Sequence, residues 1–248
     1  MRLIVVSDFH LKYDENTEDH QRCEKVLSFL VSLIGCTDML VLNGDIFDLW
    51  YTWKRVIIKD YFQVLRTLAD IHDSGCRIVI TAGNHDFWFR DFLEGEIGIE
   101  IYPDFLSEII DRKKAFFAHG DVYTSSDTRY QIYRSLIRRR WVMKIFEFFH
   151  PDFSLKIGKQ WSRSSRGHKR PSASQQRKEA GLNKKARELI ESGYDMVFFG
   201  HSHQPHIESY MHGYYLNSGD WLQHNSYLEV IDGKPELKIY KNKGELND

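Results

Sequence analysis

The sequence predicts an α/β fold: two mixed β-sheets sandwiched between helices, with a helical insertion. Three observations carry this. Short β-branched runs alternate with longer amphipathic stretches across residues 3–80. Four further apolar runs follow one another through short turns near the C-terminal end. Between these regions lies a stretch of different character, basic and aromatic, with no strand signal.

In chain order, Leu3-Ile4-Val5-Val6 reads as a buried strand, and a helix is expected from about Glu18 to Ile34. Met39–Leu42 reads as a second strand, residues from about Lys59 to Asp73 as helix, and Arg77–Ile80 as a third strand. This β-α-β-α-β order predicts a parallel core sheet covered by helices. Later strands are expected at Ala115–Ala118, Met196–Phe199, Ile207–Met211, Tyr214–Leu216, Tyr227–Ile231 and Leu237–Tyr240, the last four antiparallel because their turns are short. The stretch from about Ser126 to Asn183 reads as inserted helices followed by a flexible Ser/Arg/Lys loop, SRSSRGHKRPSASQQRK. From Arg129 to Pro171 it carries 12 Lys or Arg against Glu147 and Asp152 alone, interleaved with Trp141, Phe146, Phe148, Phe149, Phe153 and Trp161.

A length of 248 residues suits one domain, 1–248, carrying that insertion at about 126–183. With 42% hydrophobic and 28% charged residues the chain can bury a core, which argues against disorder. A net charge of −1 gives no global field for nucleic acid, so no nucleic-acid partner is expected. Cys23, Cys36 and Cys76 lie far apart without CxxC spacing, so each reads as a small buried hydrophobe in a reducing cytoplasm. The short apolar run before Asp8 does not read as a signal peptide, and the run Val26–Leu42 is too interrupted to span a bilayer.

The 12 histidines matter by position. Five short motifs each follow an expected strand: Asp8-Phe9-His10, Gly44-Asp45-Ile46-Phe47-Asp48, Gly83-Asn84-His85-Asp86, His119-Gly120-Asp121 and Gly200-His201-Ser202-His203. In α/β sheets ligands bind outside the carboxyl ends of strands, so the five should converge on one edge. Taken singly, each has a bland reading as a turn, a cap or a surface histidine. Together, Asp, His and Asn without Cys make an oxygen and nitrogen site for Mn, Fe, Zn or similar divalent ions. Seven side chains exceed what one ion needs, whereas two ions roughly 3.5–4 Å apart, sharing a carboxylate, would use them all. Such a pair acidifies water for in-line attack on a phosphate ester or anhydride.

The ordered set DxH, GDxxD, GNHD, H and GHxH resembles the calcineurin-like metallophosphoesterase family, with motifs spanning residues 8 to 203. The resemblance implies that Asp8, His10, Asp45 and His203 hold one ion, and that Asp45, Asn84, His119 and His201 hold the other, with Asp45 bridging. It assigns His85 the role of an acid or charge stabiliser oriented by Asp48. Further matches resemble the branch of the family that hydrolyses UDP-2,3-diacylglucosamine in lipid A biosynthesis: His119-Gly120-Asp121…Asp127…Tyr130-Gln131, Gly44–Trp50, His150-Pro151-Asp152…Trp161-Ser162…Ser165-Arg166, and Asn217–Trp221.

Membership of that branch implies cleavage of the pyrophosphate to UMP and 2,3-diacylglucosamine 1-phosphate, with manganese first and iron or zinc as alternatives. Asp127, Arg163, Ser165 and Arg166 would bind the substrate. The basic, aromatic insert would also meet an anionic membrane, placing the protein in the cytoplasm or peripherally on the cytoplasmic face of the inner membrane. On composition alone the insert reads equally well as a solvated helix pair packed by its aromatics. One departure stands out: the branch carries arginine where this chain has His85. Arginine is a fixed cation that grips phosphate, whereas histidine can also give up a proton. A general phosphodiesterase or phosphatase acting on a soluble nucleotide is therefore the alternative activity.

Overall fold

The computed structural model describes residues 1–13, 16–124, 128–166 and 172–242. The first sheet holds six strands in the order β11-β10-β1-β2-β3-β4: β1 (Arg2–Val6), β2 (Met39–Leu42), β3 (Arg77–Thr81), β4 (Glu100–Tyr102), β10 (Ser226–Ile231) and β11 (Lys234–Ile239). Its first four strands run parallel, and β10 joins β1 antiparallel. The second sheet has the order β5-β6-β7-β9-β8, from β5 (Leu106–Ile110), β6 (Lys113–Phe117), β7 (Met196–Phe199), β8 (His206–Tyr210) and β9 (Gly213–Asn217). Its centre, β6-β7-β9, is parallel, and β5 and β8 are antiparallel edges.

Strand runs such as Leu3–Val6 are apolar throughout because both faces are buried. Leu3 and Val5 point between the sheets, with Met39, Val41 and Val79, to meet Phe117, Met196 and Phe198. Ile4 and Val6 face outward, beneath Val26, Phe29 and Leu30 of α1 (Thr17–Val31) and Val64, Leu68 and Ile71 of α2 (Phe62–Asp73). On the far side, Val197 and Phe199 pack against Leu182, Ala186 and Ile190 of α7 (Ser172–Glu191). The result is helix, sheet, sheet, helix, as expected for this fold.

Several local expectations change. Helix α1 begins at Thr17, with the Asn16 side chain accepting from Asp19 N–H at 2.9 Å, and ends at Val31 rather than Ile34. The four C-terminal strands do form antiparallel pairs, β8 with β9 and β10 with β11, but the pairs belong to different sheets. Short turns allow a hairpin without saying which sheet it joins. Strands β4 and β5 have no counterpart in the sequence reading: β4 is three residues long, and β5 lies on an edge with one face exposed. Cys36 is exposed rather than buried.

The central stretch forms α3 (Asp121–Thr124), α4 (Thr128–Ile137), α5 (Arg140–Phe148) and α6 (Pro151–Arg166) before α7. The Ser/Arg/Lys run expected as a loop is helical over 162–166 and 172–178. Ser, Arg, Lys, Gln and Ala all tolerate a helix, and within that run only Gly167 and Pro171 are poor formers. Helix α7 runs through Asn183, where the insertion is expected to end, and its second half belongs to the core. Among the described residues, no helix is long and apolar enough to cross a membrane.

Candidate metal centre

The loops after β1, β2, β3, β6 and β7 meet where the carboxyl ends of both sheets come together. The ligand types sit on the turns themselves. Asp8 (φ 57°), His10 (46°), Asp45 (54°), His201 (63°) and His203 (61°) all take the left-handed backbone region. Each such conformation costs a non-glycine residue about 1–3 kcal/mol and survives only where the surroundings over-determine it. Here they do. Asp8 N–H donates to Gly44 O (3.1 Å), His10 N–H to Asp45 O (3.0 Å) and Trp221 N–H to Asp8 O (3.2 Å). His201 N–H donates to the Asp8 carboxylate at 3.0 Å.

Two glycines make room for the carboxylates. A Cβ at Gly83 would collide with Asp45, through both its side chain and its backbone nitrogen. One at Gly200 would stand 2.8 Å from Asp8 Oδ2.

Two clusters result, around Asp8 and around Asp45, and a third group, His10, Asp48 and His85, adjoins the first. In the first, Asp8, His10 and His203 present donor atoms to one another; Asp8 Oδ1 lies 3.4 Å from His203 Nε2 and 3.7 Å from His10 Nε2. In the second, Asp45, His119 and His201 do the same, and Asn84 Oδ1 stands 3.2 Å from His119 Nε2. Asp45 Oδ2 faces both: it is 3.3 Å from His119 Nε2 and 3.9 Å from His10 Nε2. Its other oxygen accepts His85 N–H at 2.8 Å. Asp48 stands between His10 and His85, its Oδ1 3.8 Å and 3.7 Å from their Nδ1 atoms, and its carbonyl 3.2 Å from His85 Nδ1.

Burial alone would neutralise this much charge, yet the groups hold one another ionised. Burial opposes the Asp8 carboxylate, but His203 and His10 keep its pKa below the ordinary range. Asp45 is likewise held well below, against burial, mainly by His119 and His85. Burial opposes charge on His119, and Asp45 nevertheless pushes it up to about 10. His10, also opposed by burial, is raised to about 9 by Asp48 and Asp8. Burial, then the charge of Lys178, drives His201 well below its usual value, into the neutral form a metal ligand needs.

The donor chemistry fits divalent cations. The carboxylates demand positive charge, and among the described residues no thiolate takes part and buried Asp8 Oδ1 and His201 Nδ1 have no hydrogen-bond partner. Outer contacts aim the imidazoles as metal-binding histidines are aimed. His119 Nδ1 lies 3.1 Å from Asn43 O, and His203 Nδ1 3.1 Å from Asp220 Oδ2.

With this geometry in place, comparison with known proteins is direct. Residues 1–205 match the family described as calcineurin-like phosphoesterase. The chain belongs to that family. Curated relatives include the "UDP-2,3-diacylglucosamine hydrolase" of Porphyromonas gingivalis, 24% identical over 94% of each chain. That of Haemophilus influenzae is 22% identical over 96% of this chain and 98% of its own. That of Neisseria meningitidis is 24% identical over 91% of each. Among solved structures, an archaeal phosphodiesterase superposes with a TM-score of 0.51 at 16% identity, covering 97% of this chain and all of its own, a likeness of fold. Family and relatives together make the chain a hydrolytic enzyme of the metal-dependent phosphoesterase type.

Within this metallophosphoesterase, all nine motif residues lie together, six of them lining a cavity of about 190 Å³. Asp127 lies outside the described residues. Arg163, Ser165 and Arg166 fall on the last turns of α6, where the backbone but not the side chains is described. Other residues join the site without having been predicted. Gln175, Leu222, Gln223 and Asp220 line the cavity. Asp86, fully buried, accepts N–H groups from Asp45 (2.9 Å), Ile46 (2.7 Å), Phe47 (3.1 Å) and Gly83 (3.0 Å), binding the second motif to the third. Both aspartates sit inside motifs already singled out, GNHD and NSGDW, so the signal was present without a role attached. Gln175, Leu222 and Gln223 carry no local signal.

Proposed function

We propose that the protein hydrolyses the pyrophosphate of UDP-2,3-diacylglucosamine, releasing UMP and 2,3-diacylglucosamine 1-phosphate. The observation that carries this reading is the set of curated relatives bearing that substrate's name, whose likeness runs through the insert and beyond, over more than nine-tenths of both chains. Asp8, His10, Asp45 and His203 would hold one divalent ion and Asp45, Asn84, His119 and His201 the other, manganese being the ion of choice. Bound there, the ions supply Lewis acidity toward water and toward the phosphoryl oxygens.

The chain's own groups do the rest. Asp45, facing both clusters with one oxygen, sets their separation. Asp220 and Asn43 fix the ring orientations of His203 and His119. His85 turns Nδ1 to Asp48 and lines the cavity, where it would act on the phosphoryl or leaving oxygen as donor or charge stabiliser. The acyl chains would lie on the insert, where Trp141, Ile145, Phe148, Phe149 and Phe153 are exposed beside basic residues. The same surface suits an anionic membrane, and with it a cytoplasmic, peripheral location.

A second reading rests on the cavity. At about 190 Å³ it is smaller than the ~300–1,000 Å³ usual for drug-sized ligands, and together with His85 in place of arginine it suits a compact soluble phosphoester. Manganese-loaded protein should be assayed on UDP-2,3-diacylglucosamine, on deacylated UDP-glucosamine and on bis-p-nitrophenyl phosphate. The acylated substrate should be strongly preferred; equal rates on all three would remove the lipid reading and leave the second.

A further inference from the structure

Ser202 separates His201 and His203, and it is completely buried. The turn it occupies is tight. Both flanking histidines are left-handed, and Ser202 N–H donates to Gly200 O at 2.7 Å. Such a turn needs external holds: the Asp8 carboxylate on His201 N–H is one, and the Ser202 hydroxyl is another. The hydroxyl accepts from Asn217 Nδ2 at 3.0 Å and from Gln204 N–H at 3.3 Å. Its own proton goes to Glu179 Oε2 at 2.6 Å. The other Glu179 oxygen accepts the Tyr215 hydroxyl at 2.7 Å, so the carboxylate is clamped between strand β9 and the turn.

Glu179 belongs to α7, the helix by which the chain returns from the insert to the core. One turn earlier on that helix, Gln175 lines the cavity. Residues four apart lie on one helical face, so a single rigid face touches both the cavity and the metal-binding turn. At its other end α7 is locked into the second sheet's outer core through Leu182, Ala186 and Ile190.

We propose that Glu179 is a positioning residue that couples helix α7 to the His201–Ser202–His203 turn, so that the seating of the insert sets the geometry of one histidine in each cluster. Contact at Gln175 is transmitted along the helix to Ser202, and from there to His201 and His203, which point into different clusters. The inference rests on the metal reading proposed above and assigns a role to a residue that touches neither ion nor substrate.

The test is equilibrium manganese binding to metal-stripped full-length protein by calorimetry, for wild type, Glu179→Ala, Glu179→Gln, Ser202→Ala and the Glu179→Ala/Ser202→Ala double variant. Thermal unfolding of each metal-free protein is measured alongside. Loss of an outer contact to a metal-binding histidine weakens affinity by about 10–100-fold, and that loss is expected for Glu179→Ala and for Ser202→Ala. The Gln variant, which can still bridge Ser202 and Tyr215, should bind within a few-fold of wild type. The double variant should be no weaker than either single one, because both remove the same hydrogen bond. At saturating manganese, kcat should recover in all four.

Wild-type affinity in Glu179→Ala or Ser202→Ala overturns the coupling, as do additive losses in the double variant. Should Glu179→Ala fail to fold, Ser202→Ala and Glu179→Gln decide alone. A wild-type chain that binds no manganese overturns the metal reading and this inference together, whereas wild-type binding with unchanged variants overturns the inference only.

Discussion

The five-loop cradle and the helices α4–α6, which lie in the chain between its fourth and fifth loops, are held by different physics. In the cradle, Asp8, Asp45, His119 and Asp86 are buried to within about one per cent of full exclusion from solvent, and backbone and side chain are bonded to each other from loop to loop. Five residues sit in a strained conformation there. The helices are attached at a few points instead. Phe146 enters a small aromatic cluster with Tyr51 and Trp88, and Ser154 Oγ donates to Phe146 O at 2.8 Å. Trp88 Nε1 donates to Ile137 O at 2.9 Å, and Arg90 grips Glu147 at 2.8 and 3.1 Å. Much of the rest is left to solvent, with Phe148 88% exposed. Chemistry that depends on placing charge needs the first kind of construction. A surface that accepts varied apolar ligands tolerates the second.

The largest effect expected from disturbing this contrast is in the cradle. Asp45→Ala or His119→Ala should lower kcat/KM by about 10³-fold or more, beyond the 10–100-fold of changes outside the donor set, while circular dichroism shows the fold intact. Stripping the metal with a chelator should do the same reversibly. Full activity in either variant would sink the donor assignment.

Next in size is Gly83→Ala. Its Cβ has nowhere to go except into Asp45, so about 1–3 kcal/mol of destabilisation is expected, with metal content falling in step. An unchanged melting temperature would mean the cradle is softer than its contacts imply.

In the helices, Phe148→Ser should raise KM for the acylated substrate about tenfold, roughly the transfer energy of a buried aromatic side chain partly recovered on binding, and leave turnover of bis-p-nitrophenyl phosphate alone. Stability should stay within ~0.5 kcal/mol, as for exposed sites generally. Equal effects on both substrates would show that Phe148 matters for folding rather than for acyl chains.

The smallest effect concerns pH. Arg90's hydrogen bonds hold Glu147 below its ordinary pKa of 4.5, outweighing burial. A depressed carboxyl pKa stabilises the folded state above the unfolded value and loses that contribution as pH falls through the folded one. The tether is therefore intact at neutral pH and weakens below about pH 4.5, by no more than ~1 kcal/mol because the pair is partly solvated. Protection of the α5 amides from hydrogen exchange, taken relative to the intrinsic rate at each pH, should fall on acidification, and Glu147→Gln should show the lower protection at every pH.

The cradle was the legible part of the sequence because it is written in local words. Asp, His and Asn beside glycine at a strand end are chemically unusual, and apolar β-branched runs mark the strand ends. What stayed hidden there was backbone geometry: nothing in Asp8 or His201 announces a positive φ. Asp86 was visible as a letter of GNHD, but its four N–H partners come from two loops 40 residues apart in sequence. The insert was legible only as composition. Its Ser/Arg/Lys run looked like loop and proved largely helical, since propensity there is permissive.

By itself, then, the sequence determined the fold class, the parallel core from three apolar runs, and which Asp, His and Asn side chains gather at the strand ends, because periodicity and side-chain chemistry are properties of short segments. Only tertiary structure decided that Asp45 faces both clusters, that the C-terminal hairpins divide between two sheets, and that Glu179 of α7 reaches the turn between His201 and His203. Those facts depend on how distant segments are brought together, and the burial that brings them together is blind to the order in which they occur along the chain.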